Sequence, residues 1–282
     1  MDEKAWCGPA ATSSAATLEE IHRDYIDAGA DIVTANTFAS SRLMLAQAGL
    51  AAQFQDINRA TVRAAMRARD HSRHRCLVAG SLSHMSPVVA GSAKTDRSHL
   101  VSRTEMAEAF GELAELLKKE GCDFILLEMM YDPERMAPAF EAAAGTGLPV
   151  WAGFSVRRGE DGRILSFAQD RDIPFGEILP ILDDFEVDAA GVMHSPSNVV
   201  GEAIEILRER YSGPLMAYPD SGYFKMPHWQ FENIIPPPEL QRFAAQWIED
   251  GIQIIGGCCG LCPDHIAAVS ALKAPIQQRT NT

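Results

Sequence analysis

The chain alternates short apolar runs with helix-like patterns from one end to the other, and this rhythm limits the folds open to it. Seven of the runs are nearly continuous in apolar residues, as expected for parallel strands that are buried on both faces. This alternation predicts a parallel sheet, either a closed (β/α)₈ barrel or an open doubly wound sheet. The predicted strands cover residues 31–37, 76–82, 124–130, 150–156, 189–194, 214–220 and 252–257.

Capping signals mark the helices that lie between these strands. Two of them are capping boxes, in which a Ser or Thr precedes a Glu by three residues. The others rest on a proline placed in the first helical turn. No linker or composition break divides the chain, so we predict a single domain over residues 1–282. The predicted helix starts are Thr17, Ser102, Asp132, Pro238 and Pro263.

Polar and unusual residues gather at the predicted C-terminal ends of the strands. In a barrel, those ends line one active-site mouth. No Gly-x-Gly-x-x-Gly follows the first predicted strand, which argues against a dinucleotide-binding open sheet. We therefore predict an α/β fold of the (β/α)₈ TIM barrel type, although only seven strands are found. The strand-end residues are Asn36, Ser81, Glu128, Ser155, His194, Asp220 and Cys258.

Composition excludes several classes of partner. The formal net charge of −13 argues against nucleic acid or an anionic membrane surface as the main partner. No apolar stretch approaches the roughly 18 residues that would span a bilayer, and the N-terminal residues lack the apolar core of a secretory signal. The six cysteines show no disulfide-scaffold spacing, which predicts a reducing cytoplasmic location.

Two adjacent cysteines, Cys258 and Cys259, end the last predicted strand between glycines. Neighbouring cysteines rarely form a structural disulfide because the bond would be strained. Two thiolates at one strand end can instead bind a single soft metal ion, and catalytic zinc commonly takes three protein ligands. His194 is the best placed third ligand. The alternatives are that the cysteines are buried apolar fillers, and that His194 is a core or hydrogen-bonded histidine.

Other residues near this motif allow less specific predictions. We expect Cys262 to cap or pack the last helix, and His265 to hydrogen-bond a neighbouring loop rather than bind metal. Glu128 interrupts an apolar strand, where a carboxylate is costly unless it is paired, so we expect it to meet a cation or hydrogen-bond donors. Asn36 and Asp220 are polar strand ends that also suit a turn.

Two long segments, residues 83–101 and 221–238, are candidates for a lid over the barrel mouth. The second is rich in aromatic residues, which hold cationic methyl groups by cation–π attraction and also occur at subunit interfaces. Both a methyl-donor site and a homo-oligomer interface therefore remain open. The aromatic and histidine residues of this second segment are Tyr223, Phe224, His228, Trp229 and Phe231.

In its motifs the chain resembles the homocysteine S-methyltransferase family, whose members include betaine-, S-methylmethionine- and methylfolate-dependent enzymes. The resemblance extends in order over nearly the whole chain, and it implies a (β/α)₈ barrel with zinc held by three cysteines. One of them follows strand six, and two lie in the Gly-Gly-Cys-Cys-Gly motif. The matching segments are residues 22–25, 28–31, 34–38, 79–81, 127–128, 218–222, 256–260 and 263–266.

This resemblance also implies roles for individual side chains. A glutamate at the place of Glu128 holds the amino-acid end of homocysteine in the family, and we expect four further residues to line the same substrate pocket. Zinc would lower the pKa of the bound thiol and hold it as a thiolate, which attacks the methyl group of the donor. The four further pocket residues are Asn36, Phe38, Ser81 and Asp220.

The sequence departs from the family pattern at three places. The strand-six cysteine is replaced by His194 and the asparagine beside it by Met193; a Cys₂His set still suits zinc. No Asp-Gly-(Gly/Ala)-x-Gly-Thr motif precedes Trp6, so the first barrel strand is missing or divergent, and we expect a start codon placed too far downstream. Leu261 stands where the family has threonine, and Met129 where it usually has Thr or Tyr.

The sequence therefore predicts a Zn²⁺-dependent S-methyltransferase whose partners are a small-molecule thiol acceptor and a methyl donor, with a possible homo-oligomer. A neutral imidazole in place of a thiolate makes the site less negative. A bound thiol then ionises more easily and is a weaker nucleophile. One alternative is a catalytically degenerate or regulatory barrel that no longer transfers methyl groups. Another is a metal-free barrel enzyme that acts on a different small molecule.

Overall fold

The computed structural model of the chain describes residues 6–87, 101–225 and 228–273. Most of the first predicted lid, residues 88–100, therefore lies outside the described residues. Within them, each of the seven predicted strands is found, with ends that differ by a few residues. The strands are β1 (Ile32–Thr34), β2 (Leu77–Ser83), β3 (Phe124–Met130), β4 (Val150–Phe154), β5 (Val156–Arg158), β6 (Ile164–Ser166), β7 (Ala189–Pro196), β8 (Leu215–Asp220), β9 (Tyr223–Lys225), β10 (His228–Gln230) and β11 (Ile254–Ile255).

The helices begin close to the predicted capping signals, with one exception. Ser102 Oγ accepts a hydrogen bond from the Glu105 N–H, and the Glu105 carboxylate accepts one from the Ser102 N–H, which confirms that capping box. The box at Thr17 is wrong, because α1 begins upstream and Thr17 lies within it. The helices are α1 (Ala10–Asp27), α2 (Arg42–Gln47), α3 (Phe54–His71), α4 (Arg103–Lys119), α5 (Pro133–Gly145), α6 (Ile181–Asp184), α7 (Ser197–Arg208), α8 (Pro237–Glu249) and α9 (Pro263–Ser270).

Seven strands form one sheet in the order β1-β2-β3-β4-β7-β8-β11, and every neighbouring pair in it is parallel. The sheet order follows the chain order, which is the arrangement of a barrel built from successive strand–helix units. Among the described residues, no strand joins the free edges of β1 and β11. The prediction of a TIM barrel with one strand missing is confirmed. No helix of the described chain has the length and apolar character to cross a bilayer.

Two apolar clusters hold the sheet in place. The larger one lies between the strands and the surrounding helices, and includes Ile125, Leu127 and Val192. The smaller one joins alternate residues of six strands, which therefore face the barrel interior. This inner cluster contains Ala79, Phe124, Leu126 and Met216, with the partly buried Ile32, Leu77, Trp151, Tyr218 and Ile254 packed against it.

Side-chain alternation carries the inner face on to the C-terminal ends of the strands. Because successive strand residues point to opposite faces, the positions two or four residues after the inner cluster point inward as well. These positions are polar, so the barrel has an apolar floor and a polar mouth. The inward residues at the mouth are Asn36, Ser81, Glu128, Asp220 and Cys258.

Candidate metal centre and substrate pocket

Cys258, Cys259 and His194 meet at the mouth of the barrel. Their ligand atoms all lie within 4.8 Å of one another. Cys258 Sγ is 3.6 Å from His194 Nδ1 and 3.9 Å from Cys259 Sγ. Tetrahedral zinc with bonds of 2.0–2.3 Å separates its ligands by about 3.5–3.8 Å. The three side chains therefore fit a single metal ion of this size.

Backbone hydrogen bonds fix the cysteine pair to the end of β8. The Cys258 N–H donates to the Pro219 carbonyl over 2.7 Å, and the Ser221 N–H donates to the Cys259 carbonyl over 2.9 Å. Gly260 turns the chain away with a φ of +80°, and a Cβ there would collide with the Ser221 carbonyl. Glycine is therefore required at this position for the motif to lie against β8.

A β-bulge brings His194 into the site. Gly191 pairs with Gly153, two residues after Trp151, so alternation alone would turn Met193 inward and His194 outward. The register between β7 and β8 shifts after Met193, and His194 adopts a φ of +45° in the left-handed region. A bulge re-aims a strand side chain in this way. The imidazole consequently reaches the two thiols at the end of β11, over the intervening strand β8.

The three candidate ligands influence one another's protonation. Cys258 donates to the Cys259 sulfur, which lowers the pKa of the Cys259 thiol to about 5 and raises that of Cys258 well above its ordinary value. Burial lowers the pKa of His194, but the contact with Cys259 and the charge of Asp220 outweigh burial, so the net shift is upward. Cys259 is therefore the thiol that ionises first.

Two carboxylates lie beside this cluster. Glu128, only 7% exposed, accepts a hydrogen bond from Ser81 Oγ, and burial raises the pKa of its carboxyl to about 7. Asp220 Oδ2 lies 3.5 Å from His194 Nδ1, and burial raises the pKa of Asp220 to about 6, against the lowering influence of His194. The prediction that Glu128 meets a hydrogen-bond donor is confirmed.

Asn36 and Phe38 follow β1, at the part of the barrel mouth that lies nearest the N-terminal residues. Asn36 Nδ2 donates to the Cys7 carbonyl over 2.9 Å, and the Phe38 carbonyl accepts a hydrogen bond from Ser83 Oγ over 2.5 Å. Cys7 is a neighbour that sequence reasoning missed, since nothing around it marks a site. Burial raises the pKa of its thiol to about 11, and the charges of Cys259 and Glu128 add to the increase.

Aromatic rings flank the imidazole of His194. The Phe167 ring meets it edge-on at 5.4 Å, and the Trp229 ring lies at 5.6 Å. Trp229 belongs to the predicted second lid, which forms the β9–β10 hairpin within the described residues. Phe167 was not predicted, because it follows a short strand with no motif of its own. The two rings give the cluster an apolar wall.

Cys262 and His265 take the structural roles expected of them. His265 Nδ1 accepts a hydrogen bond from the Cys262 N–H over 3.1 Å, and His265 Nε2 lies 2.7 Å from the Ile235 carbonyl. Cys262 is the N-cap of α9. The prediction that His265 bonds a neighbouring loop is therefore confirmed.

Relatives of known activity match almost the whole chain. The chain is 25% identical to betaine–homocysteine S-methyltransferase 1 of Mus musculus, over 96% of this chain and 67% of that one. It is 27% identical to methionine synthase of Mycobacterium tuberculosis, over 93% of this chain but only 22% of the synthase. Selenocysteine methyltransferase of Astragalus bisulcatus is 23% identical, over 99% and 89% of the two chains.

Solved structures of low sequence identity share the fold. The metallated form of the homocysteine methyltransferase MmuM from Escherichia coli superposes with a TM-score of 0.72 at 21% identity, over 93% of this chain and 86% of that one. A methyltransferase from Methanosarcina mazei gives a TM-score of 0.58 at 13% identity, over 98% and 89%. The sequence model of the homocysteine S-methyltransferase family matches residues 1–272, and the chain therefore belongs to that family.

Proposed function

We propose that the protein is a zinc-dependent S-methyltransferase. It would transfer a methyl group from a sulfonium, ammonium or methylfolate donor to the thiol of homocysteine or a related acceptor. Membership of the family supports methyl transfer to homocysteine. The observation that carries the metal part is the convergence of His194, Cys258 and Cys259 within 4.8 Å at the barrel mouth.

The proposed metal ligands are His194, Cys258 and Cys259. When bound, zinc would supply a Lewis acid that keeps the acceptor thiol ionised at neutral pH. Three protein ligands leave a fourth position for that thiol. Cys259 is the thiol that ionises first, so it is ready to take up the metal near neutral pH.

The proposed substrate pocket lies around Glu128. Its carboxylate, held by Ser81 Oγ in a buried site, suits the ammonium group of an amino-acid substrate. Phe167 and Trp229 form the wall beside His194, where a cationic methyl donor would be held by cation–π attraction. The remaining proposed pocket residues are Asn36, Phe38, Ser81 and Asp220.

The test combines metal analysis with methyl transfer. Protein purified under reducing conditions should hold close to one zinc per chain and should methylate homocysteine with at least one donor among betaine, S-methylmethionine and methylfolate. His194→Ala and Cys259→Ala should each lower zinc content and activity. Cys262→Ser, which keeps a capping side chain three residues away, is the matched control and should retain both.

The outcomes separate the proposal from its rivals. Protein without zinc under reducing conditions would rule out the mechanism and favour the metal-free barrel enzyme. Zinc binding without methyl transfer to any thiol would favour the degenerate or regulatory alternative. That alternative is the weaker one, because the cysteine pair is kept and a histidine replaces the third thiol at its side. The cytoplasmic location, the single domain and the homo-oligomer stay predictions.

A further inference from the structure

We infer that Asp220 is a positioning residue for the metal ligand His194 and supplies the negative charge that a Cys₂His set lacks. The inference rests on the proposed function, because it assigns a role within the same metal centre. It gives Asp220 a duty distinct from substrate binding. The unit that holds the metal would then comprise four side chains: His194, Asp220, Cys258 and Cys259.

The first argument is the contact between the carboxylate and the imidazole. Asp220 Oδ2 lies 3.5 Å from His194 Nδ1, and the two side chains are only 11% and 12% exposed. Water and salt screen a pair at this depth much less than a surface pair. His194 Nδ1 also faces Cys258 Sγ at 3.6 Å, so the carboxylate acts on the cluster through its charge and limits how far the ring can turn. The contact therefore bears directly on how His194 binds metal.

The second argument is that Asp220 has little freedom to move away. The residues on both sides of it are tied to the cysteine pair: the Pro219 carbonyl accepts from the Cys258 N–H, and the Ser221 N–H donates to the Cys259 carbonyl. The same hydrogen bonds thus fix the two thiols and the backbone of Asp220. The Asp220 backbone therefore stays at a constant distance from the two thiols, and the side chain is 11% exposed.

The third argument concerns His194 itself. Its backbone lies in the left-handed region, with a φ of +45°, which is unfavourable for most residues with a side chain. Such a conformation persists only where the surroundings hold it. The Phe167 and Trp229 rings lie against two sides of the His194 imidazole. Neither side chain carries an oxygen or a free lone pair that could accept a hydrogen bond from an imidazole N–H. Asp220 provides a charged partner on a further side.

Charge balance gives the inference a distinctive test. Two thiolates and a neutral histidine cancel the charge of Zn²⁺, and Asp220 makes the assembly negative by one. If His194 is replaced by cysteine, a third thiolate already supplies that charge, and Asp220 becomes a like charge beside it. Removal of the Asp220 charge should therefore weaken metal binding with histidine present and not weaken it with cysteine present.

The experiment measures Zn²⁺ affinity by competition with a chelating dye, and the absorption spectrum of the Co²⁺-loaded protein. Four full-length proteins form a cycle: wild type, Asp220→Asn, His194→Cys and the double variant. Asp220→Asn should lower Zn²⁺ affinity about 10- to 100-fold in the wild-type background and shift the Co²⁺ bands. In the His194→Cys background, Asp220→Asn should leave affinity unchanged or increase it.

Two further variants guard against a purely structural effect. Asp220→Glu keeps the charge and should retain more Zn²⁺ affinity than Asp220→Asn does. Asp172→Asn removes a largely exposed carboxylate that pairs with Arg157, and it should behave as wild type. The variants should also unfold at the wild-type midpoint in the absence of metal. If Asp220→Asn proves unstable, Asp220→Ser, which also removes the charge, carries the same test in the two backgrounds.

Failure of this inference is distinguishable from failure of the proposed function. Wild-type protein that binds no Zn²⁺ overturns both. Wild-type protein that binds Zn²⁺, together with an Asp220→Asn variant of equal affinity and identical Co²⁺ spectrum, overturns the inference alone. Equal losses of affinity in the histidine and cysteine backgrounds also overturn it, because the effect of Asp220 would then be independent of its partner.

Discussion

The Met129 N–H donates a 3.3 Å hydrogen bond to the sulfur of Met193, across the strands that carry Glu128 and His194. Both methionines are departures from the pattern that the chain otherwise resembles. Each lies at a bulge, since the register shifts between Leu127 and Met130 and again after Met193. The bulge removes the Met129 N–H from regular pairing, and the Met193 sulfur accepts it. The two departures are therefore one contact, placed directly behind the candidate site.

This contact predicts a stability cost for Met193→Leu. Leucine conserves the volume but offers no acceptor, so the Met129 N–H loses its partner at a cost of about 1–3 kcal/mol. The free energy of unfolding in urea measures the loss. Met216→Leu, at another buried methionine of the inner face, is the control and should cost less. Equal costs for the two variants would show that the sulfur contact contributes nothing.

Glu128→Gln should impair substrate binding more than metal binding. In the proposed substrate pocket, the change removes the charge that would face the ammonium group of the substrate while keeping the shape of the side chain. Hydrogen bonds to charged groups contribute about 1.5–3 kcal/mol, so we expect KM for homocysteine to rise about 10- to 100-fold. Steady-state kinetics and zinc analysis test this together.

Ser81→Ala is the companion variant. It removes one neutral donor to Glu128 and should raise KM by a smaller factor. A Glu128→Gln variant that loses its zinc, with KM unchanged in the remaining active fraction, would contradict the assignment of Glu128 to the substrate.

The buried His22 predicts that the free energy of unfolding decreases at acid pH. It is buried in α1, its Nε2 has no hydrogen-bond partner among the residues that the structure describes, and burial lowers its pKa from 6.5 to about 4. Between these two pH values, His22 is protonated in the unfolded chain and neutral in the folded chain. The free energy of unfolding therefore falls as the pH drops from 6.5 towards 4. The loss is about 1.4 kcal/mol per pH unit in that window.

Unfolding curves measured between pH 7 and pH 4 test this prediction. His22→Leu removes the titrating group and should give a flatter dependence on pH. His74→Gln, at an exposed histidine, is the control and should follow the wild type. The same slope in wild type and His22→Leu would mean that His22 takes up its proton without unfolding.

Two glycines should respond to alanine in opposite directions. At Gly191 a Cβ would collide with the Met216 backbone on the neighbouring strand, so Gly191→Ala should destabilise the fold by about 1–3 kcal/mol or more. Gly111 lies inside α4, where a Cβ would meet no atom of the described residues within 4 Å, and Gly111→Ala should stabilise the fold by about 0.5–1 kcal/mol. Thermal unfolding midpoints should therefore move down and up, respectively. A midpoint that Gly191→Ala leaves in place would contradict the close packing of β7 on β8.

The sequence by itself determined the seven strands, the barrel class, the family and the cysteine pair. These follow from local signals: nearly continuous apolar runs specify buried parallel strands, and the glycines around Cys258 and Cys259 specify a turn at a strand end. The positions of Glu128, Asp220 and Cys258 at the C-terminal ends of predicted strands also predicted that they meet at one barrel mouth. The capping box at Thr17 misled because helical structure continues upstream of Thr17, with a kink at Ser14.

Only the tertiary structure decided how His194 and Asp220 take part. Alternation along β7 would point His194 outward, and the bulge that reverses it depends on how β7 pairs with β8, residues distant in sequence. The 3.5 Å contact with Asp220 arises from the same pairing, and the approach of Phe167 arises from the pairing of β5 with β6. A linear pattern cannot encode this register, because it is set by packing between strands. The sequence therefore identifies the candidate metal-binding residues, and the fold sets the distances between them.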